Sequence, residues 1–492
     1  MGNVDLLKTL AMMTGRQYRQ SLKDRKPLVV FMNGQRLKEP TEHPIVAASI
    51  NSIALTFELA EDPKYRSAMT ATSALTGRTI NRFCHLHQST EELYQKCGMQ
   101  RLLGQKCGTC FQRCVGMDAF NSIYITTFEM DQRHGTDYHK RFIEYVKVAE
   151  QRDWVVDGCM TDPKMDRSLR PAQAPDGYVR VVQRKPDGVV IRGAKMHQTG
   201  AVNSHEIMVM PTIAMKEDEQ DFAICCAIPA DAEGITYIYG RQSCDTRLLE
   251  DPPGTSLDIG SAYGGQECIV VFDDVFVPRE RIFMDGEVDF SGRLVETFAG
   301  YHRSSYACKT GVGDVAIGAA ALMAEYNGIA GASHVRDKIV EMIHLNETIW
   351  SSCVACCYKG TKTPAGNYLI DLLLANVAKQ NVTRFPYEIA RLLQDIAGGL
   401  MVTMPGAKEF DNPETKKYLE LYLKGAGEGS ARNRFKLLRL IENLTMGRAA
   451  VGYLTESMHG AGSPQAQRIM IARLADLDKK KELAKHIARI EG

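Results

Sequence analysis

The apolar pattern of this chain changes period twice, near Trp154 and again after Pro278, and few folds place a β-patterned segment between two helical ones. Up to about residue 150, Asn51 to Leu59, Glu91 to Met99 and Gly108 to Asp131 mix apolar and polar positions at helical spacing. One short strand, Leu28 to Met32, runs into an Asn33-Gly34 turn. From Trp154 the period shortens: Tyr178 to Val182 and Val189 to Arg192 flank Lys185-Pro186-Asp187-Gly188, a hairpin turn. Strand-like runs follow at Ile207 to Met210, Phe222 to Ile228, Ile235 to Tyr239 and Ile269 to Val277. After Pro278 long helices are expected over Ser304 to Glu325, His334 to Tyr358, Ile370 to Gly398 and Ala431 to Gly452. Pro405 to Gly429 reads as a surface excursion, and the basic helix Lys479 to Ile490 as a solvated cap or subunit contact. The expectation is an α+β chain with an N-terminal helical domain over 1–150, a middle β domain over 151–290 and a C-terminal helical bundle over 291–492.

Charge narrows the functions. The 492 residues carry 60 basic and 59 acidic side chains, a formal net charge of +1, so no fixed excess attracts a polyanion. Neither a nucleic acid nor a membrane is expected as partner, since no apolar run approaches the roughly 20 residues a bilayer span requires. Met1 is followed by Gly2, Asn3, Val4 and Asp5 rather than a basic flank and an apolar core. The 14 cysteines are therefore read as reduced thiols of a cytoplasmic protein.

Chemistry-bearing residues gather in a few segments. Cys107-Gly-Thr-Cys110-Phe-Gln-Arg-Cys114 has separations of three and four, which on a helix would put three thiolates on one face. That spacing suits zinc or an iron–sulfur cluster, and equally a cysteine-rich core stripe. His302 and Tyr306, four apart, would share a helix face, as an imidazole and a phenol acting on one substrate would need. The polar run Lys195 to His205, containing His197, Gln198 and Thr199, could present hydroxyl and amide groups to a flat heterocycle or be an ordinary strand-end loop. Gly264-Gly265-Gln266-Glu267 places a carboxylate at the mouth of an apolar strand. Glu456 and His459 lie three apart in a glycine-punctuated turn. No Rossmann GxGxxG or P-loop is present, so nicotinamide and nucleotide-hydrolysis readings lose their usual support.

The stretches MQRLLGQK, CFQRCVGMDAFN, RGAKMHQTGAVNSHE, YGRQSCDTR, GGQECIVVFDDVFVP, AGYHR, RFPYEIAR, AGGLMVTMP and TESMHGAGSPQAQRIMIAR resemble the 4-hydroxybutyryl-CoA dehydratase/vinylacetyl-CoA isomerase family. This belongs to the wider flavin-dependent family that also contains 4-hydroxyphenylacetate hydroxylases, and the likeness runs from about Arg16 to the C-terminus. It implies a fold like that of acyl-CoA dehydrogenases, a homotetramer, an acyl-CoA thioester substrate, FAD, and an oxygen-sensitive [4Fe-4S] cluster held by three cysteines and one histidine. The implied reaction converts 4-hydroxybutyryl-CoA to crotonyl-CoA, with vinylacetyl-CoA isomerisation beside it. Only Cα is acidified by the thioester. The family chemistry therefore uses a flavin-generated substrate radical to loosen the β-proton, with the cluster as Lewis acid and no net oxidation.

Matched residue by residue, the resemblance makes Cys110 and Cys114 cluster ligands and His302 the cluster histidine and a candidate base. Tyr306 and Glu456 fall on proton-transfer residues, Glu267 on an active-site carboxylate, Thr199 beside the flavin with Gln198 and His197, and Lys309 beside the last cluster cysteine. One departure matters. In the family seven positions separate that histidine from the following cysteine, whereas His302 and Cys308 are six apart. On an ideal helix at about 100° per residue, six steps miss the starting face by about 120°, while about three residues per turn restores it. Either Cys308 remains the fourth ligand through a tightened helix, the reading the kept AGYHR and GVGD flanks favour, or Cys107 replaces it. Rival readings are a related radical dehydratase of another hydroxyacyl-CoA, a flavin-dependent aromatic hydroxylase, a conventional acyl-CoA dehydrogenase and a non-enzymatic zinc protein.

Overall fold

The structure is a computed structural model that describes residues 12–163, 165–244 and 262–490; Met1 to Asp5 and the last three residues of YGRQSCDTR lie outside them. The helical, β, helical order is present. Pro44–Glu61, Thr90–Cys107, Cys114–His134 and Tyr138–Arg152 form the first helical part. Among the described residues a six-stranded sheet follows, in the order Gln35–Arg36, Val29–Met32, Ile235–Tyr239, Glu267–Pro278, Gly188–Thr199 and Arg180–Lys185. A four-stranded sheet orders Ile282–Asp285, Ile224–Pro229, Glu206–Val209 and Val156–Cys159. The expected hairpin is there, with Lys185 opposite Gly188. The short N-terminal strand pairs in parallel with Ile235–Tyr239, a partner some two hundred residues away that no local pattern announces.

The second helical part comprises Val288–Ser305, Cys308–Tyr326, Ser333–Tyr358, Leu372–Val382, Phe385–Ala397, Ala431–Thr445, Pro464–Leu474 and Leu477–Ala488, with shorter turns between them. The helix expected from Ile370 to Gly398 is two helices. Pro386 has no N–H to give the Val382 carbonyl and its ring would strike it, so the first helix stops at Val382. The Pro405 to Gly429 excursion contains a helix of its own, Pro413–Tyr422, with no buried residue. By length and composition Val288–Tyr326 could cross a membrane, but 67% of its most apolar window is buried inside the fold, as befits core helices. One core cluster joins the first helices to both sheets through Phe57, Phe120, Phe142 and Tyr237, and each such burial contributes about 1.5–3 kcal/mol.

The cysteine triplet does not share one helix. Cys107 ends Thr90–Cys107, Cys110 lies in the loop, and Cys114 begins Cys114–His134. Gly108 is the cause: at φ +61° it adopts the left-handed conformation that terminates helices. Two other glycines bring the loop to its partners. A Cβ on Gly104 would lie 2.3 Å from the Cys308 carbonyl oxygen, and one on Gly311 would lie 2.0 Å from that of Arg101. Backbone therefore meets backbone where Thr90–Cys107 crosses Cys308–Tyr326, close enough to set Cys308 beside the cysteine loop.

Candidate functional site

Cys110, Cys114 and Cys308 are all buried, and each thiol lies within reach of the charge of Lys309. Cys114 and Cys308 share one apolar cluster, with Cys107 packed at its edge. Burial pushes the Cys308 thiol up to about 11, partly offset by the Lys309 ammonium, and raises Cys110 and Cys114 well above the ordinary thiol range. Cys107, also within reach of the Lys309 charge, is only partly buried, and its Sγ donates towards the carbonyls of Leu103 at 3.0 Å and Thr109 at 3.1 Å, at the end of its own helix.

The chain tightens where His302 and Cys308 are one residue closer than the family spacing. The N–H groups of Tyr306, Ala307, Lys309 and Thr310 donate to the carbonyls three residues back, at 3.4, 3.1, 2.9 and 3.1 Å. Ala307 has φ −48° and ψ −28°, and Tyr306 φ −67° and ψ 0°, within and beside the 3₁₀ range. Only Tyr306 and Ala307 depart from the α-helix between Val288–Ser305 and Cys308–Tyr326. Asp118, the hydrogen-bond partner of His302, is close enough for its charge to act on the Cys308 thiol.

His302 is oriented by residues the sequence reading did not single out. Its Nδ1 lies 2.9 Å from Oδ2 of Asp118, which also accepts from Ser305 Oγ at 2.7 Å. Asp118 in turn pairs with Lys96 Nζ at 2.8 Å, both fully buried. Burial alone would raise the Asp118 carboxyl; the Lys96 ammonium and the His302 hydrogen bond outweigh it and hold it below the usual carboxylate range. An ionised carboxylate only accepts, so Nδ1 carries a ring proton and donates it to Asp118. Asp118 stands four residues after Cys114 inside CFQRCVGMDAFN, which was its only sequence signal.

Tyr306 faces His302 edge-on, with ring centroids 5.5 Å apart. Its hydroxyl donates to the Glu456 carbonyl at 3.3 Å, and Lys309 Nζ lies 3.2 Å from Glu456 Oε2. Burial, and then the Glu456 charge, raise the phenol well above its ordinary range, so it stays neutral. Burial would lower the Lys309 ammonium, but Glu456 and the nearby thiols outweigh that and hold it higher. Glu456 follows a π-helical turn, Val451–Thr455, whose extra residue per turn redirects the side chains after it.

Thr199 and Glu267 are cross-strand neighbours, the Thr199 hydroxyl donating to both carboxyl oxygens at 2.9 and 2.7 Å. Burial, and then the charge of Glu456, push the Glu267 carboxyl well above its ordinary range, which favours its acid form. The two groups meet at the glycine run before Glu267: a Cβ on Gly265 would lie 3.7 Å from that of Cys110. His197, exposed at φ +58°, occupies a bulge where two residues of its strand oppose one of Glu267–Pro278. Gln198 is buried and its amide donates to the Met196 carbonyl at 2.5 Å.

Three buried thiols and an imidazole held through Nδ1 by Asp118 are the donor set a cuboidal iron–sulfur cluster takes. Among the described residues no three His, Cys, Asp or Glu side chains are gathered as one metal ion would need. A four-iron cluster puts one ligand on each iron and so holds its ligands further apart.

Two family descriptions, 4-hydroxyphenylacetate 3-hydroxylase N terminal and C terminal, match residues 14–284 and 291–489. The chain is 55% identical over 492 residues to the 4-hydroxybutyryl-CoA dehydratase/vinylacetyl-CoA-Δ-isomerase of Clostridium aminobutyricum, covering 98% of this chain and 100% of that one. Among solved structures, an oxygen-tolerant archaeal 4-hydroxybutyryl-CoA dehydratase from N. maritimus superposes with a TM-score of 0.95 at 53% identity, over 98% of this chain and 96% of that one. The oxygenase component of 4-hydroxyphenylacetate 3-monooxygenase, solved with FAD, has a TM-score of 0.85 at 22% identity, over 96% and 98% of the two chains. Glutaryl-coenzyme A dehydrogenase, at a TM-score of 0.51 and 12% identity over 96% and 95%, shares the fold alone. The α+β, acyl-CoA dehydrogenase-like architecture is therefore present.

Proposed function

The chain belongs to the 4-hydroxyphenylacetate 3-hydroxylase family, and from that premise we propose that it dehydrates 4-hydroxybutyryl-CoA to crotonyl-CoA and isomerises vinylacetyl-CoA, carrying FAD and a [4Fe-4S] cluster. The observation that carries this reading is the approach of Cys110, Cys114, Cys308 and His302, from separate segments, to one place beside Tyr306, Lys309 and Glu456. Flavin-dependent aromatic hydroxylation has no need of such a thiol group. When bound, the flavin supplies a reversible one-electron step and the cluster a Lewis-acidic iron.

The protein's own groups do the rest. His302, held by Asp118 through Nδ1, offers Nε2 either to iron or to the Cα proton that the thioester acidifies. Tyr306 and Glu456 stand together for the second proton, at Cβ. Lys309 fixes the Glu456 carboxylate, and Glu267, hydrogen-bonded to Thr199 and pushed towards its acid form by burial, is suited to donate a proton. Both protons removed from carbon are needed again, one at Cγ and one on the departing hydroxide. A closed set of buried acids and bases suits that balance.

The phenol leaves no room beside it. A Cβ on Gly460 would lie 1.7 Å from the Tyr306 hydroxyl, so Gly460→Ala must displace it. A misplacement of about 1 Å at a reacting group can lower turnover by about 100-fold. That loss is expected with iron and flavin content intact, as steady-state kinetics beside metal analysis will read.

Assembly as a homotetramer belongs to the same proposal. Leu477, Leu483 and Ile487 are 56%, 58% and 81% exposed along the terminal helix, with Ile490 59% exposed just beyond it, an apolar stripe suited to a subunit contact.

The decisive test is anaerobic purification with iron, sulfide and flavin analysis, then incubation with 4-hydroxybutyryl-CoA and no electron acceptor. Crotonyl-CoA is expected. A product that forms only with an external oxidant, or a preparation containing flavin and no iron, would overturn the reading.

A further inference from the structure

We propose that Lys379 is a positioning residue of this site, holding the Tyr306 ring against the Glu456–Gly460 turn through a cation–π contact and a hydrogen bond to the Ser457 carbonyl. Lys379 lies on Leu372–Val382 and is fully buried. Its Nζ donates to Ser457 O at 2.6 Å and stands 4.4 Å from the centre of the Tyr306 ring. Among the described residues no carboxylate forms an ion pair with it. An ammonium has three donors, and a buried charge without a carboxylate is costly unless its other contacts offset the lost hydration. A methionine would fill the same length of apolar space without that cost.

The helix carrying Lys379 reaches the site twice. One turn earlier, Asn376 Oδ1 accepts from Arg303 Nη1 at 2.7 Å, and Arg303 Nε donates to the Ala461 carbonyl at 3.1 Å. Asn376 thus holds the helix bearing His302 and Tyr306, while Lys379 holds the turn that follows Glu456. Both anchors end at the contact in which Tyr306 donates to the Glu456 carbonyl. Lys309 stands 5.2 Å from the centre of the same ring, so two ammonium groups flank the phenol. Burial, and then the charges of Lys309 and Arg303, push the Lys379 ammonium down to about 7, partly offset by Glu456. The face of the Tyr306 ring and the Ser457 carbonyl are the contacts that favour its charged form.

The test uses the holoenzyme with tyrosines replaced by 3-fluorotyrosine, the Tyr306 resonance being the one that Tyr306→Phe removes. Lys379→Met is expected to keep iron, sulfide and flavin content and to move the Tyr306 fluorine resonance. It should lower kcat by about tenfold with KM within about twofold, because the ring loses its anchor and the bound cofactors do not. Lys379→Arg, which keeps the charge, should recover part of kcat. Should Lys379→Met fail to fold, Lys379→Gln keeps a donor for the Ser457 carbonyl without the charge, and the same resonance is read there. An unmoved Tyr306 resonance, or full kcat in a loaded Lys379→Met enzyme, overturns the proposal. The kinetic arm rests on the dehydratase reading and the fluorine arm does not. A wild-type enzyme without dehydratase activity would therefore sink that reading and leave Lys379 to be judged by the resonance.

Discussion

Cys308→Ser is expected to yield protein that retains flavin, contains almost no iron and has lost more than about 100-fold of its dehydratase activity. Removing a residue that merely orients a metal ligand lowers affinity or activity by about 10–100-fold, and removing the ligand itself should exceed that. Cys107→Ser should change neither iron nor activity appreciably. The contrast follows from where the two thiols stand. Cys107 is turned onto the carbonyls of Leu103 and Thr109, and moving it to a cluster would break both contacts at the end of its helix. Cys308 is buried with Cys110 and Cys114, and the charges of Lys309, Glu456 and Asp118 all reach its thiol. Iron and sulfide determination on the two anaerobically prepared variants decides the matter. Loss of iron from Cys107→Ser alone would reverse the assignment.

Lys96→Met is the second large effect. It leaves the Asp118 carboxylate fully buried with His302 and Ser305 as partners but without its cation, and breaking one side of a buried ion pair costs about 3–5 kcal/mol. The denaturation midpoint should fall accordingly. Asp118→Asn separates stability from chemistry: it removes the buried charge yet can still accept from Nδ1, so it should weaken iron retention less than Asp118→Ala does. Combining Lys96→Met with Asp118→Asn should recover much of the stability lost by Lys96→Met alone, since the stranded charge is gone. A Lys96→Met protein that unfolds at the wild-type midpoint would show that the pair contributes nothing.

Much of the fold was legible in the chain. The change of period at Trp154, the Lys185 to Gly188 hairpin and most long helices rest on contacts between residues a few places apart, which apolar spacing and turn chemistry record directly. The strand Ile282–Asp285 and the helix Val288–Ser305 after Pro278, by contrast, were not expected. Where local reading failed, a local rule had been missed: Gly108 ends a helix that the cysteine spacing had continued, and Pro386 divides one that periodicity had joined.

The sequence by itself determined which segments carry chemistry and, through its family motifs, which residue types they bring. Only the tertiary structure decided how they meet. His302 finds Asp118 across 184 positions, Lys96 lies 205 positions from the Tyr301 carbonyl it also holds, and Lys379 reaches Ser457 over 78. A buried lysine and a solvated one look alike in a helical pattern, because periodicity reports which face is apolar and not which charge the next helix covers. The different surroundings of Cys107 and Cys308 likewise rest on the approach of Gly104 to Gly311, distances that exist only once two helices have packed.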